Sequence, residues 1–254
     1  MIIDTHCHLY VEEFSQDIDQ VIQRASENGV QKFYLPAIDS HSTDVMLELE
    51  HRFPQHCVAM MGLHPCSVKE NYRDELLAVE DWLQKRKFVA IGECGLDFYW
   101  DKTFIKEQYA ALERQIELAI QYHIPIVLHT RSATQETIDV IKQHINSGLT
   151  GIFHCFGGSR DEALQIVEMG FYLGIGGVVT YKNSGLAAVI REISLSHIVL
   201  ETDAPYLSPV PFRGKRNESS YLKIIAEKIA MIKECSVAEV AEITTANALG
   251  IFGH

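Results

Sequence analysis

The chain has little positive charge: 22 lysines and arginines face 34 aspartates and glutamates, for a formal net charge of −12. A protein that wraps a long duplex needs a basic surface, so this balance argues against extended nucleic-acid contact and leaves a short stretch or an end. No run of about 18 apolar residues occurs, so no membrane span is expected. No basic leader or cleavage site precedes the apolar run that begins at Met1. None of the six cysteines stands in a CxxC pair. The reading is a cytoplasmic protein with reduced thiols. No Pro/Gly-rich linker, low-complexity tract or short repeat interrupts the sequence. Residues 1–254 are therefore expected to form one domain, long enough to bury a large core without disulfides.

What is present is an alternation. Short apolar runs at 2–6, 31–37, 57–62, 87–93, 124–129, 150–154, 171–175 and 197–201 read as strands, several rich in Val and Ile and apolar on both sides. Amphipathic stretches lie between them. In 15–28, Ile18, Val21, Ile22 and Ala25 share one helical face, with Ser15 as a cap and Gly29 past the end. In 103–122, Leu112, Ile116, Ala119 and Ile120 make the stripe, with Thr103 as a cap. Ser159 with Glu162 and Ser236 with Glu239 read as capping boxes, and Gly170 as a helix stop. Eight strand–helix repeats in a chain of this length predict an α/β fold, a (β/α)8 TIM barrel. The longest irregular stretch, 202–218, has the length of a functional loop.

Imidazoles and carboxylates recur where the apolar runs end. His6 and His8 close the first, Glu93 the fourth, His129 the fifth and His154 the sixth, while Asp203 lies just beyond the eighth. In such a barrel the C-terminal ends of the strands meet at one mouth. His6 and His8, two apart, face the same way on an extended segment, which turns Cys7 away. Cys94 and Cys155 are expected to turn away likewise. Imidazole nitrogen with carboxylate oxygen suits zinc, manganese, iron, cobalt or nickel, and magnesium less well. Six donors exceed what one tetrahedral ion uses and fit one or two divalent cations per chain, with Glu93 as the bridge. Two such ions and two carboxylates leave about +2, which suits an anionic phosphate ester and acidifies a bound water.

Several segments resemble the TatD family of metal-dependent deoxyribonucleases: "DTHCHL" at 4–9, "GLHP" at 62–65, "GECGLDFYW" at 92–100, "HTR" at 129–131, "HCFGG" at 154–158 and "ETDAPYLSP" at 201–209. "RGKRNE" at 213–218 and "TTANALGIFG" at 244–253 carry the likeness to the end. The resemblance implies a barrel of the amidohydrolase type. It implies that His6, His8, Glu93, His129, His154 and Asp203 bind divalent cations, with Glu93 where other branches use a modified lysine. It also implies hydrolysis of DNA, often from an end. Two positions depart from the family pattern. Ser132 stands after "HTR" where an acidic residue is common, and Ser219 stands after "RGKRNE" where proline is common. Both bear on substrate range, not on the ligands.

Other residues complete the reading. His64 in "GLHP" is a candidate catalytic proton donor or phosphate contact. Arg131 shares a face with His129 and suits bidentate phosphate binding. Arg213, Lys215 and Arg216 form the one dense basic cluster, suited to flanking phosphates. Phe98, Tyr99 and Trp100 suit base stacking or packing under a loop. The expected reaction is phosphodiester hydrolysis by a metal-activated water, with Asp203 binding metal and accepting the proton. DNA or a DNA end is the expected partner, with no membrane and no obligatory protein partner. The alternatives are a hydrolase of a small amide, lactone or phosphate ester, and a non-catalytic metal-binding protein.

Overall fold

Apolar segments of four to seven residues with no polar face are stable only when both sides are covered, as in a parallel sheet wrapped by helices. The computed structural model describes residues 1–253 and places a strand in each of the eight apolar runs. They are β1 (Ile2–Asp4), β2 (Val30–Leu35), β3 (Cys57–Ala59), β4 (Ile91–Asp97), β5 (Ile126–Arg131), β6 (Gly151–Phe153), β7 (Tyr172–Ile175) and β8 (Ile198–Leu200). All pairings are parallel, in the orders β1-β2-β3 and β4-β5-β6-β7-β8. Met61 bridges to Ile91 between the two ladders. At the other seam the Thr5 N–H donates to Leu200 O at 3.0 Å. The strands thus follow one another round the predicted (β/α)8 barrel.

The helices among the described residues are α1 (Ile18–Glu27), α2 (Ser40–Arg52), α3 (Tyr72–Lys85), α4 (Ile105–Tyr122), α5 (Thr134–Lys142), α6 (Arg160–Glu168), α7 (Leu186–Glu192), α8 (Leu222–Lys233) and α9 (Val237–Phe252). None is long and apolar enough to cross a membrane. Ile18, Val21, Ile22 and Ala25 are buried on α1 as their spacing predicts. The two early caps are corrections. Ser15 donates its N–H to Glu12 O and ends a 3-10 turn, so α1 begins three residues later. Thr103 donates its N–H to the Asp101 carboxylate at 2.9 Å, and α4 starts at Ile105. Ser159 and Glu162 form the full capping box. Ser236 makes half of one, its Oγ accepting the Glu239 N–H at 3.1 Å.

The period of two along each strand splits the core. Ile3, Tyr34, Met60, Val127, Ile152 and Val199 form the inner cluster, while their neighbours Ile2, Phe33, Leu35, Ile126, Leu128, Phe153, Ile198 and Leu200 pack toward the helices. Helix α9 closes the end where the strands begin. Thr245 Oγ1 donates to Met1 O, Asn247 Nδ2 donates to Leu195 O and Ile198 O, and the Phe252 ring stacks on Tyr34 with centroids 4.0 Å apart. Burial of Phe252 contributes about 2–3 kcal/mol. The opposite end stays open, and on β5, β6 and β8 the residues two or four positions beyond the inner cluster, His129, His154, Glu201 and Asp203, are delivered to it.

Candidate metal centre

Glu93 is the hub of that open end. It is buried, and five imidazoles surround its carboxylate. Oε2 lies 3.0 Å from His6 Nε2 and 3.5 Å from His8 Nε2. Oε1 lies 2.7 Å from His129 Nδ1, 2.9 Å from His154 Nε2 and 3.2 Å from His64 Nε2. Asp203 Oδ1 stands 3.8 Å from His6 Nε2 and 3.7 Å from His8 Nε2. All six residues read from the sequence as ligands therefore converge, and His64 joins them. Three subsets have donor atoms mutually within 4.8 Å: His6, His8 and Asp203; His6, Glu93 and His154; and His64, Glu93 and His129.

The donors fit a divalent cation on an observation independent of their type. Both ring nitrogens of His6, Glu93 Oε2 and His154 Nδ1 are buried without a hydrogen bond. Buried polar atoms are seldom left so. His6 Nε2 and Glu93 Oε2 approach closely but are not aligned to bond each other, an arrangement that suits a shared cation. The charge environment is correspondingly tense. Burial works to raise the Glu93 carboxyl, but His154, His64 and His6 outweigh it and hold it well below the usual range. Burial drives His6 well below its ordinary value. It works the same way on His154, but Glu93 and Glu201 prevail and hold that ring well above. Burial pushes Asp203 up to about 6, opposed by His154 and His8.

Glu93 and His129 do not close their strands, contrary to the sequence reading. A register shift between Ile91 and Cys94 carries β4 on to Asp97, and Gly95, Leu96 and Asp97 pair with His129, Thr130 and Arg131. Gly95 permits this approach, because a Cβ there would lie 2.1 Å from His129 O. Cys7 and Cys94 turn away into the outer core as expected. Cys155 does not: its backbone takes the left-handed conformation at φ 48°, and the residue lines the cavity.

Three residues of the site escaped the sequence reading. Asp97 Oδ2 meets His129 Nε2 at 2.9 Å. Glu201 Oε1 accepts the Cys155 N–H at 2.5 Å and lies 3.4 Å from His154 Nδ1. The Tyr10 hydroxyl meets His8 Nδ1 at 3.1 Å. Strand parity was the available signal, since Tyr10 is two beyond His8, Asp97 four beyond Glu93, and Glu201 two before Asp203. Gly174 makes room for Glu201, for a Cβ there would lie 2.1 Å from Glu201 Oε2.

The mouth opens into a cavity of about 830 Å³ lined by His8, Glu93, His129, His154 and Asp203 together with Arg131, Trp100 and Tyr206. Arg213 and Lys215 do not line it: both are exposed, and the Arg213 guanidinium lies 4.3 Å over the Tyr181 ring. Arg216 is committed elsewhere, binding Asp17 through two nitrogens at 2.7 and 2.8 Å. Of the two family departures, Ser132 lines the cavity and Ser219 is buried in the 3-10 turn just before helix α8.

A barrel whose open end gathers histidines and carboxylates in this way defines a metal-dependent hydrolase. Residues 3–253 match the family model described as TatD related DNase, and the chain belongs to that family. It is 38% identical over 253 residues to an uncharacterized metal-dependent hydrolase, YabD, of Bacillus subtilis, covering 99% of each chain. It is 34% identical over 262 residues to the 3'-5' ssDNA/RNA exonuclease TatD of Salmonella typhimurium, covering 99% of this chain and 98% of that protein. The crystal structure of the TatD homologue YjjV of Escherichia coli superposes with a TM-score of 0.94 at 30% identity, covering 100% of this chain and 98% of that one.

Proposed function

We infer that this protein hydrolyses phosphodiester bonds near an end of single-stranded DNA, as a cytoplasmic enzyme whose residues 1–254 act as one domain. The observation that carries the reading is the division of the Glu93 carboxylate, with Oε2 toward His6 and His8 and Oε1 toward His129 and His154. The activity named for the Salmonella relative supports the substrate class. The free state of all six cysteines agrees with a reducing compartment.

In this reading His6, His8, Glu93, His129, His154 and Asp203 would hold one or two divalent cations. Cations held there would supply positive charge against the phosphoryl oxygens and would lower the pKa of a water. Asp203, at the mouth beside His6 and His8, accepts the proton of the attacking water. His64 Nδ1 accepts the Cys66 N–H at 3.0 Å, so the proton of the neutral ring sits on Nε2. From there it donates a hydrogen bond to the leaving oxygen, which takes its proton from solvent as the phosphorus–oxygen bond breaks. Arg131 binds a phosphate at the mouth, while Arg213 and Lys215 serve only flanking phosphates of a strand leaving the cavity. No protein partner is required.

The test is metal-reconstituted protein, analysed for metal content, on end-labelled single- and double-stranded DNA. Single strands are expected to shorten faster than duplex, and a chelator to stop both. A fully loaded protein that shortens neither strand overturns the reading. A small amide, lactone or phosphate ester is the second reading, favoured by the net charge of −12. Turnover confined to such compounds would establish it.

A further inference from the structure

Asp97 joins two parts of the molecule. Its Oδ2 holds His129 Nε2 at 2.9 Å, while its Oδ1 accepts the N–H of Tyr99 at 2.9 Å and of Trp100 at 3.0 Å. Gln108 clamps the Asp97 backbone from α4, accepting its N–H at 2.9 Å and donating to its carbonyl at 3.2 Å. The turn after β4 is therefore fixed with respect to a ring that faces the cation site.

On that turn Tyr99 and Trp100 stand 56% and 67% exposed, their rings nearly perpendicular. Packing beneath a loop, the plain use of aromatics here, does not account for such exposure. Arg131 lays its guanidinium 4.0 Å from the Tyr99 ring centroid and 5.0 Å from that of Trp100. Among the described residues Arg131 makes no ion pair, in a chain where acids outnumber bases. Trp100 and Arg131 line the same cavity as Glu93 and His129. An exposed indole beside an unpaired cation, at the rim of a site for anions, matches a nucleotide: a flat base for the ring and a phosphate for the guanidinium.

We propose that Tyr99, Trp100 and Arg131 form a shelf that stacks one unpaired nucleobase of a single strand beside the bond to be cut. The location of that bond rests on the phosphodiester reading; the shelf itself does not. A base inside a duplex is covered on both faces by its neighbours and cannot lie on Trp100, so the shelf selects single strands and frayed ends.

The chain has two tryptophans, Trp82 and Trp100, so Trp82→Phe leaves Trp100 as the sole indole reporter. The metal-loaded Trp82→Phe protein is titrated with a hydrolysis-resistant phosphorothioate oligothymidylate and with an abasic phosphorothioate strand of equal length, following Trp100 emission and the anisotropy of a label on the strand. The oligothymidylate is expected to quench Trp100 and to bind more tightly than the abasic strand. Trp100→Ala in the otherwise native protein is expected to raise the oligothymidylate Kd about 5- to 100-fold. Equal Kd for the two strands, Trp100 left unquenched at saturation, or no binding of either strand overturns the shelf. Ordinary strands assayed for cleavage separate the two ideas. Quenching without cleavage removes the hydrolase reading and leaves the shelf, whereas cleavage without quenching does the reverse.

Discussion

The Tyr10 hydroxyl donates its proton to Pro36 O at 2.6 Å, so toward His8 Nδ1, at 3.1 Å, it can only accept. His8 must then carry its hydrogen on Nδ1, which leaves the Nε2 lone pair directed at Glu93 and Asp203. A hydrogen-bond partner of this kind fixes both tautomer and ring orientation of a ligand histidine. Tyr10→Phe is expected to weaken metal affinity about 10-fold or more, with the fold intact. Metal titration by calorimetry, together with circular dichroism of the metal-free protein, checks this. Unchanged affinity would remove Tyr10 from the site.

In the proposed mechanism Asp203→Asn keeps an oxygen donor and loses the proton acceptor. Turnover is expected to fall about 100-fold or more. Elemental analysis is expected to show retained metal, at reduced occupancy. Nuclease rates on labelled single strands decide the matter, and an unchanged rate would exclude Asp203 as the proton acceptor.

Metal binding is expected to release protons. His154 is held well above its ordinary value by Glu93 and Glu201 in the metal-free site, against the effect of burial, and Asp203 is raised by burial to about 6. Both must be deprotonated to ligate, so affinity falls as pH drops below neutrality. The enthalpy of binding measured at pH 6.5 in buffers of different ionisation heat gives the proton count. Zero release would contradict the protonated state assigned to His154.

Arg216 and Arg24 tie the 202–218 loop and the start of helix α8 to α1 through Asp17 and Glu218. The Arg216 and Arg24 hydrogen bonds hold the Asp17 carboxyl below its ordinary value of 3.8. Burial would raise the Glu218 carboxyl, but Arg24 and Ser220 prevail and hold it below 4.5. For carboxyls depressed in the folded state, the stabilisation is complete above their ordinary values and is lost as pH falls through the folded ones. Arg216→Met is expected to cost about 1 kcal/mol at pH 7, and less as pH drops below about 4. Urea unfolding at the two pH values checks both magnitude and trend; a deficit that grows on acidification would contradict the assignment.

Much of this was legible in the residues. Runs rich in Val and Ile located all eight strands, and the rule that barrel strands end at one mouth placed His6, His8, Glu93, His129, His154 and Asp203 together before any coordinates. What was missed follows from physics beyond the apolar pattern. Ser15 and Thr103 look like caps, but a 3-10 turn and the Asp101 side chain claim their backbones first. The polar end of an apolar run is not the end of a strand, as β4 shows by pairing through Asp97. Alternation predicts that Cys155 turns away only while the chain stays extended, and its left-handed conformation breaks that condition. Arg216 reads as a free cation because its partner, Asp17, lies almost 200 positions away, at |i−j| = 199.

The seam where β1 meets β8 joins Thr5 to Leu200, and Asp4 to Thr202, across 195 and 198 positions of sequence. On a ribosome, then, His6 and His8 emerge long before the strand that completes their surroundings. A nascent chain holds its first two imidazoles but no finished cradle. Closure of that seam waits on contacts nearly two hundred positions apart, and such long-range pairing is slow to form.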